Sequence, residues 1–180
     1  MPTVPDIEIV EIRLERATEL FDNHDPYPFR ERRLDQAAEA YIVGHTENLP
    51  ARRRIHIVLH LPQQEVASQA VAHLGEAVTR HFSERAEATQ RSLSRLFRNG
   101  RRALAIGLAV LALSVLVVWL VENVPGAHFP KLFVEGLIIF GWVANWRPME
   151  IFLYDWWPIA RQRNIYRRLS RAEVSVNAGD

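Results

Sequence analysis

Residues 7–15 alternate apolar and charged side chains, with Val10, Ile12 and Leu14 on one parity and Glu11, Arg13 and Glu15 on the other. That period of two predicts a strand with one buried face. Residues 16–21 suit one helical turn, after which Pro26 and Pro28 favour an extended loop. Asp35 is a plausible helix start, because Leu34, Ala38, Tyr41, Ile42 and His45 share one helical face beside it. Asn48 and Pro50 mark the end of that helix.

Residues 54–61 read as a second strand. Ile55, Ile57, Leu59 and Leu61 form one face, and Arg54, His56, Val58 and His60 the other. Pro62 suits the first turn of a following helix. The order β-α-β-α predicts two parallel strands joined by a right-handed crossover. Two strands make a poor independent sheet. Another subunit is therefore expected to complete the sheet or the core, which points to a homo-oligomer.

From Gln63 onward the pattern is helical, with no proline before Pro125. Val71, Gly75, Val78, Phe82, Ala86, Thr89, Leu93, Phe97 and Gly100 form a thin seam, closer to an 11-residue repeat than to a heptad. The seam fits a helix packed on its own sheet or a self-associating stalk. Asn99 and Gly100 are its expected break.

Residues 103–121 then run without a charge, between Arg101 and Arg102 on one side and Glu122 on the other. Such a run reaches roughly 28 Å as a helix, about the thickness of a bilayer's hydrocarbon core. A second apolar segment, 132–146, spans only about 22 Å. It either continues through Pro148 to residues 151–153 or stops at Trp146 and lies along the interface. Continuation is the expectation, with Arg147 and Glu150 pairing at i, i+3. Trp142, Trp146, Tyr154, Trp156 and Trp157 crowd one end and Trp119 the other, as in aromatic belts. The Ala103, Gly107, Val110 and Ser114 stripe suits close packing on the second segment, with Gly136 and Gly141 opposite.

Arginines precede the first span and follow the second, so both termini are expected in the cytoplasm. The expected fold is an α+β membrane protein. A small cytosolic β-α-β-α module (1–62) leads to a long amphipathic stalk helix (63–102), a two-helix transmembrane hairpin (103–157) and a basic cytoplasmic tail (158–180).

Composition sharpens this only in places. There is no cysteine, which excludes disulfides, thiolate zinc sites and cysteine nucleophiles. The acidic N-terminal stretch lacks the basic start and apolar run of a secretory signal. Lys131 is the one lysine, so nearly all positive charge is arginine. A net charge of +1 argues against a nucleic-acid partner.

Candidate chemistry falls into four groups. Glu135, Trp142, Trp146 and Glu150 form one stripe if the second helix stays regular through Pro148, a candidate ion or transport path. Arg91, Arg95, Arg98, Arg101 and Arg102 lie where anionic lipid headgroups would be. Arg52, Arg53 and Arg54 could receive an acidic partner, and Arg30, Arg32 and Arg33 form a further cluster. Asp22, His24 and Asp25, with His56 and His60, are oxygen and nitrogen donors for a metal, but without a recognised ligand spacing. No nucleophile elbow or glycine-rich phosphate loop is present.

The expected function is a non-enzymatic anchoring or assembly role in an inner membrane. The protein acts as a homo-oligomer with an unidentified cytosolic protein partner and no cofactor. A small channel or transporter component using Glu135 is the alternative, and a metal-dependent membrane-bound hydrolase a third.

Overall fold

A computed structural model describes residues 7–22, 33–50, 53–66, 71–123 and 130–179. Its regular elements are β1 (Ile7–Arg13), α1 (Gln36–Glu47), β2 (Arg54–Pro62), α2 (Gln63–Val66), α3 (Leu74–Asn123), α4 (Lys131–Val143), α5 (Trp146–Glu150), α6 (Trp156–Leu169) and β3 (Glu173–Gly179). A 3-10 turn covers Ala17–Leu20, and a π-helical turn, Ile151–Asp155, joins α5 to α6. The chain divides into two compact units, Met1–Thr89 with Arg161–Asp180, and Gln90–Ala160.

The first unit is built on a parallel sheet in the order β1-β2-β3. Val10 pairs with Ile57 and Ile12 with Leu59, while Ile57 and Leu59 pair on the other side with Val174 and Val176. Residues in register point to the same face, so these side chains form one apolar surface. Val10, Ile57, Leu59 and Leu61 are fully buried there with Ile42, Phe82 and Leu169. The residues of opposite parity, among them Ile7, Ile9, Arg54 and His56, form the other face.

The third strand changes the sequence-based picture. Residues 158–180 read as a basic tail with a short helix beyond Pro158; that helix is part of α6, but Glu173–Gly179 then form β3. Val174 and Val176 alternate with Ser175 and Asn177, but over too short a run to stand out beside so many arginines. The chain thus supplies its own third strand, and the sheet does not need a second subunit to reach three.

Helix α1 starts where its cap dictates. Asp35 Oδ1 accepts from the amides of Ala37 at 2.8 Å and Ala38 at 3.3 Å, a cap worth about 1 kcal/mol. Its buried residues are Glu39, Ile42 and Thr46, whereas Tyr41 and His45 are exposed, their rings tilted against each other with centroids 4.5 Å apart. The expected face is therefore rotated. A carboxylate occupies the inward stripe, and a pattern of apolar residues alone cannot find it.

The expected seam is buried or half-buried at every position, with Val71 in a 3-10 turn, Val71–His73, and Gly75 to Gly100 on α3. Val78, Phe82 and Ala86 join the sheet's core. No break occurs at Asn99 and Gly100, since α3 is one helix of 50 residues. Among the described residues it is the one helix long and apolar enough to cross a membrane. Ile106, Leu113, Val115 and Trp119 are all exposed on it.

In the second unit, small residues set the spacing of α3 against α4 and the turns that flank α5. A Cβ on Gly107 would lie 2.7 Å from Asn145 Oδ1 and 2.9 Å from the Ala144 carbonyl oxygen. A Cβ on Gly141 would meet Leu111 Cδ1 at 2.9 Å, and one on Gly100 would meet Ile151 Cγ2 at 2.8 Å. Asn145 donates through Nδ2 to the carbonyls of Gly107 (3.0 Å) and Gly141 (2.9 Å). Gly136 has open space around it and takes no part in this packing.

The helical path from α4 onward is not regular. It turns at Ala144 and Asn145, then resumes through Pro148 as α5. Pro148 has no amide hydrogen, and its ring crowds the carbonyl four residues earlier, which is that of Ala144. The turn falls there, leaving Pro148 in the first turn of α5, where a proline is tolerated.

Candidate functional site

The starts of the three strands and the end of α6 enclose a pocket of about 450 Å³. Its lining contains Arg53, Arg54, Arg168 and Arg171, with Ile7 and Ile55 as apolar wall and His56 and Glu173 beside them. Each arginine is delivered by a different local device. Arg53 precedes β2, and its guanidinium donates to Glu8 Oε2 of β1 at 2.6 Å. Arg54 opens β2 and is exposed.

Arg168 lies in the last turn of α6 and clasps the chain between α1 and β2. Its guanidinium donates to the carbonyls of Leu49 (3.4 Å), Pro50 (3.0 Å) and Arg53 (3.1 Å). Its Nε is buried without an acceptor among the described residues. Arg161, two turns earlier, donates to the Glu47 carbonyl at 3.2 Å. Carbonyls at a helix C-terminus lack intrahelical partners, and cationic side chains are their natural donors. Arg171 follows in the turn into β3 and, like Arg54, makes no ion pair among the described residues.

A carboxylate knot fixes the helices that carry this site. Glu39 Oε2 accepts from His81 Nε2 at 3.0 Å and from Arg85 Nη2 at 2.8 Å and Nε at 3.1 Å. Glu39 Oε1 accepts from the Tyr166 hydroxyl at 3.1 Å, and that hydroxyl accepts from Gln162 at 3.2 Å. His81 Nδ1 accepts the Leu34 amide at 3.3 Å, so its hydrogen resides on Nε2 and points at Glu39. Burial alone would raise the Glu39 pKa, but the hydrogen bonds from His81 and Arg85 and the Arg85 charge hold it at about 2. Arg85 is raised, chiefly by its bond to Glu39. Burial, followed by the Glu39 charge, raises Tyr166.

The sequence-based candidates fare unevenly. Arg53 and Arg54 meet in the pocket, while Arg52 lies outside the described residues, as do Arg30, Arg32, His24 and Asp25. Arg91, Arg95, Arg98, Arg101 and Arg102 are all exposed along α3. Glu135, Trp142 and Trp146 are exposed and Glu150 is half-buried. The regular helix that would align them is interrupted after Val143, so the helical register of Glu135 does not carry to Glu150. Arg147 takes Glu150 at 2.8 Å, the expected i, i+3 pair, and also Asp155 at 3.3 Å. His56 bonds Ser175 at 2.8 Å, and His60 lies 3.7 Å from Glu11. No group of three or more metal-ligating side chains occurs among the described residues.

Arg168 and Arg171 counted in the sequence only as topology signals. Nothing local in the sequence links them to Arg53 and Arg54. That meeting exists because β3 returns to the sheet.

Family models, curated proteins and solved structures offer no match to this chain. Arg54 and Arg171, which make no ion pair among the described residues, line the pocket beside an apolar wall, and guanidiniums suit an oxyanion.

Proposed function

We propose that this is an integral inner-membrane protein with a non-enzymatic anchoring or assembly role, working as a homo-oligomer. α3 and the α4–α5 segment form a two-span hairpin, and the α/β domain with both termini faces the cytoplasm. The observation that carries the reading is the continuity of α3. One helix has Val78 and Phe82 in the buried core of the α/β domain and Ile106, Leu113 and Trp119 exposed further along. A large exposed apolar surface of that kind calls for lipid or protein around it.

Two further observations support the second span. Leu132, Ile139, Phe140 and Val143 of α4 are exposed, as a lipid-facing helix requires. Small residues and an interhelical asparagine bond hold α4 and α5 to α3, which is how helices pack without a hydrophobic drive between them. The arginines from Arg91 to Arg102 would then meet anionic headgroups.

Self-association is supported by the face of the sheet opposite the core. Parallel sheets ordinarily have both faces covered, yet Ile7 and Ile9 are exposed there, on an edge strand. A second copy would cover Ile9 and the β1 edge. The channel reading lacks comparable support, because α4 ends before Trp146 and Glu150.

Membrane fractionation followed by an alkaline wash tests the anchoring. The chain should stay in the pellet and leave it only with detergent. Release by the alkaline wash would contradict an integral anchor.

A further inference from the structure

We propose that the pocket between the strand starts and the end of α6 is a binding site for a phosphate monoester. The pocket lies within the α/β domain, but its test in nanodiscs rests on the membrane reading, which membrane fractionation tests separately. The side chains of Arg53, Arg54, Arg168 and Arg171 line one space. Like charges gathered in this way repel unless an anion sits among them.

The internal partners leave charge to spare. Glu8 takes Arg53, and backbone carbonyls take Arg168 without neutralising it. Glu173 is the one carboxylate in the lining, so the guanidiniums outweigh it by more than one charge. A dianion matches that excess better than a single carboxylate does.

Geometry points the same way. The arginines come from the start of β2, the last turn of α6 and the turn after it, so they approach from different directions. A tetrahedral anion with three free oxygens can accept from several such forks, whereas a planar carboxylate presents two oxygens.

The pocket is also larger than a phosphate ion needs, and Ile7 and Ile55 make part of its wall apolar. The organic part of an ester would lie there, with Glu173 placed to accept from a hydroxyl on it. A soluble phosphorylated metabolite and the headgroup of phosphatidic acid share this chemistry.

The test uses the full chain in nanodiscs and reads its unfolding temperature. In one arm glycerol phosphate is titrated into neutral phosphatidylcholine discs, with sodium chloride at matched ionic strength as control. In the other, discs containing phosphatidic acid are compared with discs containing phosphatidylglycerol. A rise in the first arm assigns a soluble ester, and a rise confined to the second assigns the lipid. In either case Arg54→Ala and Arg171→Ala should each weaken binding about tenfold. Arg167→Ala, exposed on α6 outside the lining, should leave it unchanged. No rise in either arm overturns the proposal. So does a rise that chloride or phosphatidylglycerol reproduces, or one that survives both pocket substitutions.

Discussion

The Tyr166 hydroxyl donates to Glu39 Oε1 at 3.1 Å, which ties α6 to α1 through a buried carboxylate. His81 and Arg85 bring α3 to the other oxygen of the same group. One side chain therefore fastens the helix that leads out of the α/β core to the helix that returns to it.

Removing that carboxylate leaves buried donors on His81 and Tyr166 without an acceptor. Glu39→Ala should cost about 1–3 kcal/mol or more and lower the unfolding temperature of the full chain in detergent. Arg80→Ala removes an exposed pair with Glu84 on the same helix and should change stability by less than about 1 kcal/mol. Equal effects of the two would show that the knot contributes no more than a surface pair.

The same group sets an acid limit. Glu39 has its folded pKa lowered from 4.5 to about 2, so the folded state binds its proton more weakly than the unfolded state does. Its contribution is present in full above pH 4.5 and is lost as the pH falls towards 2. Tyr166 acts at the other end. Its pKa is raised above the ordinary 10.0, so stability falls as the pH rises beyond that value. Unfolding temperatures across pH should show both losses, with Glu39→Gln removing the acid step and Tyr166→Phe the alkaline one.

Gly107 admits no side chain without movement of the backbone opposite. Gly107→Ala places a methyl group against the Ala144 carbonyl and Asn145, and should destabilise by about 1–3 kcal/mol. Gly136→Ala meets nothing within 4 Å and should be neutral or stabilising by up to about 1 kcal/mol. Unfolding by sodium dodecyl sulfate titration separates the two. A tolerated alanine at Gly107 would mean that α3 and the turn between α4 and α5 do not pack this closely.

Ile9→Glu tests self-association. Ile9 is 56% exposed, so the substitution should leave the domain folded while reducing the native mass from an oligomer to a monomer. An unchanged oligomeric mass would remove this face from the interface.

The sequence made the sheet's apolar parity legible, because Val10, Ile57 and Leu59 follow a strict period of two. The Asp35 cap and the small-residue stripe of α3 were legible for the same reason, since each depends on local spacing. What lay outside a local reading depended on chain return. β3 has only Val174 and Val176 as large apolar residues, too few to announce a strand, so the pocket lined by Arg53, Arg54, Arg168 and Arg171 had no sequence signature. Glu39 was hidden differently. A buried charge makes sense only beside His81 and Arg85, which lie some forty residues away.

The central claim is a two-span hairpin with both ends in the cytoplasm, and the absence of cysteine makes it directly measurable. Single-cysteine variants Ala127→Cys, between the spans, and Asn177→Cys, in β3, would be treated in intact spheroplasts with a membrane-impermeant maleimide. The account predicts that the first is labelled at once and the second only after permeabilisation. Labelling of the β3 variant in intact spheroplasts, or protection of the 127 variant, would contradict it.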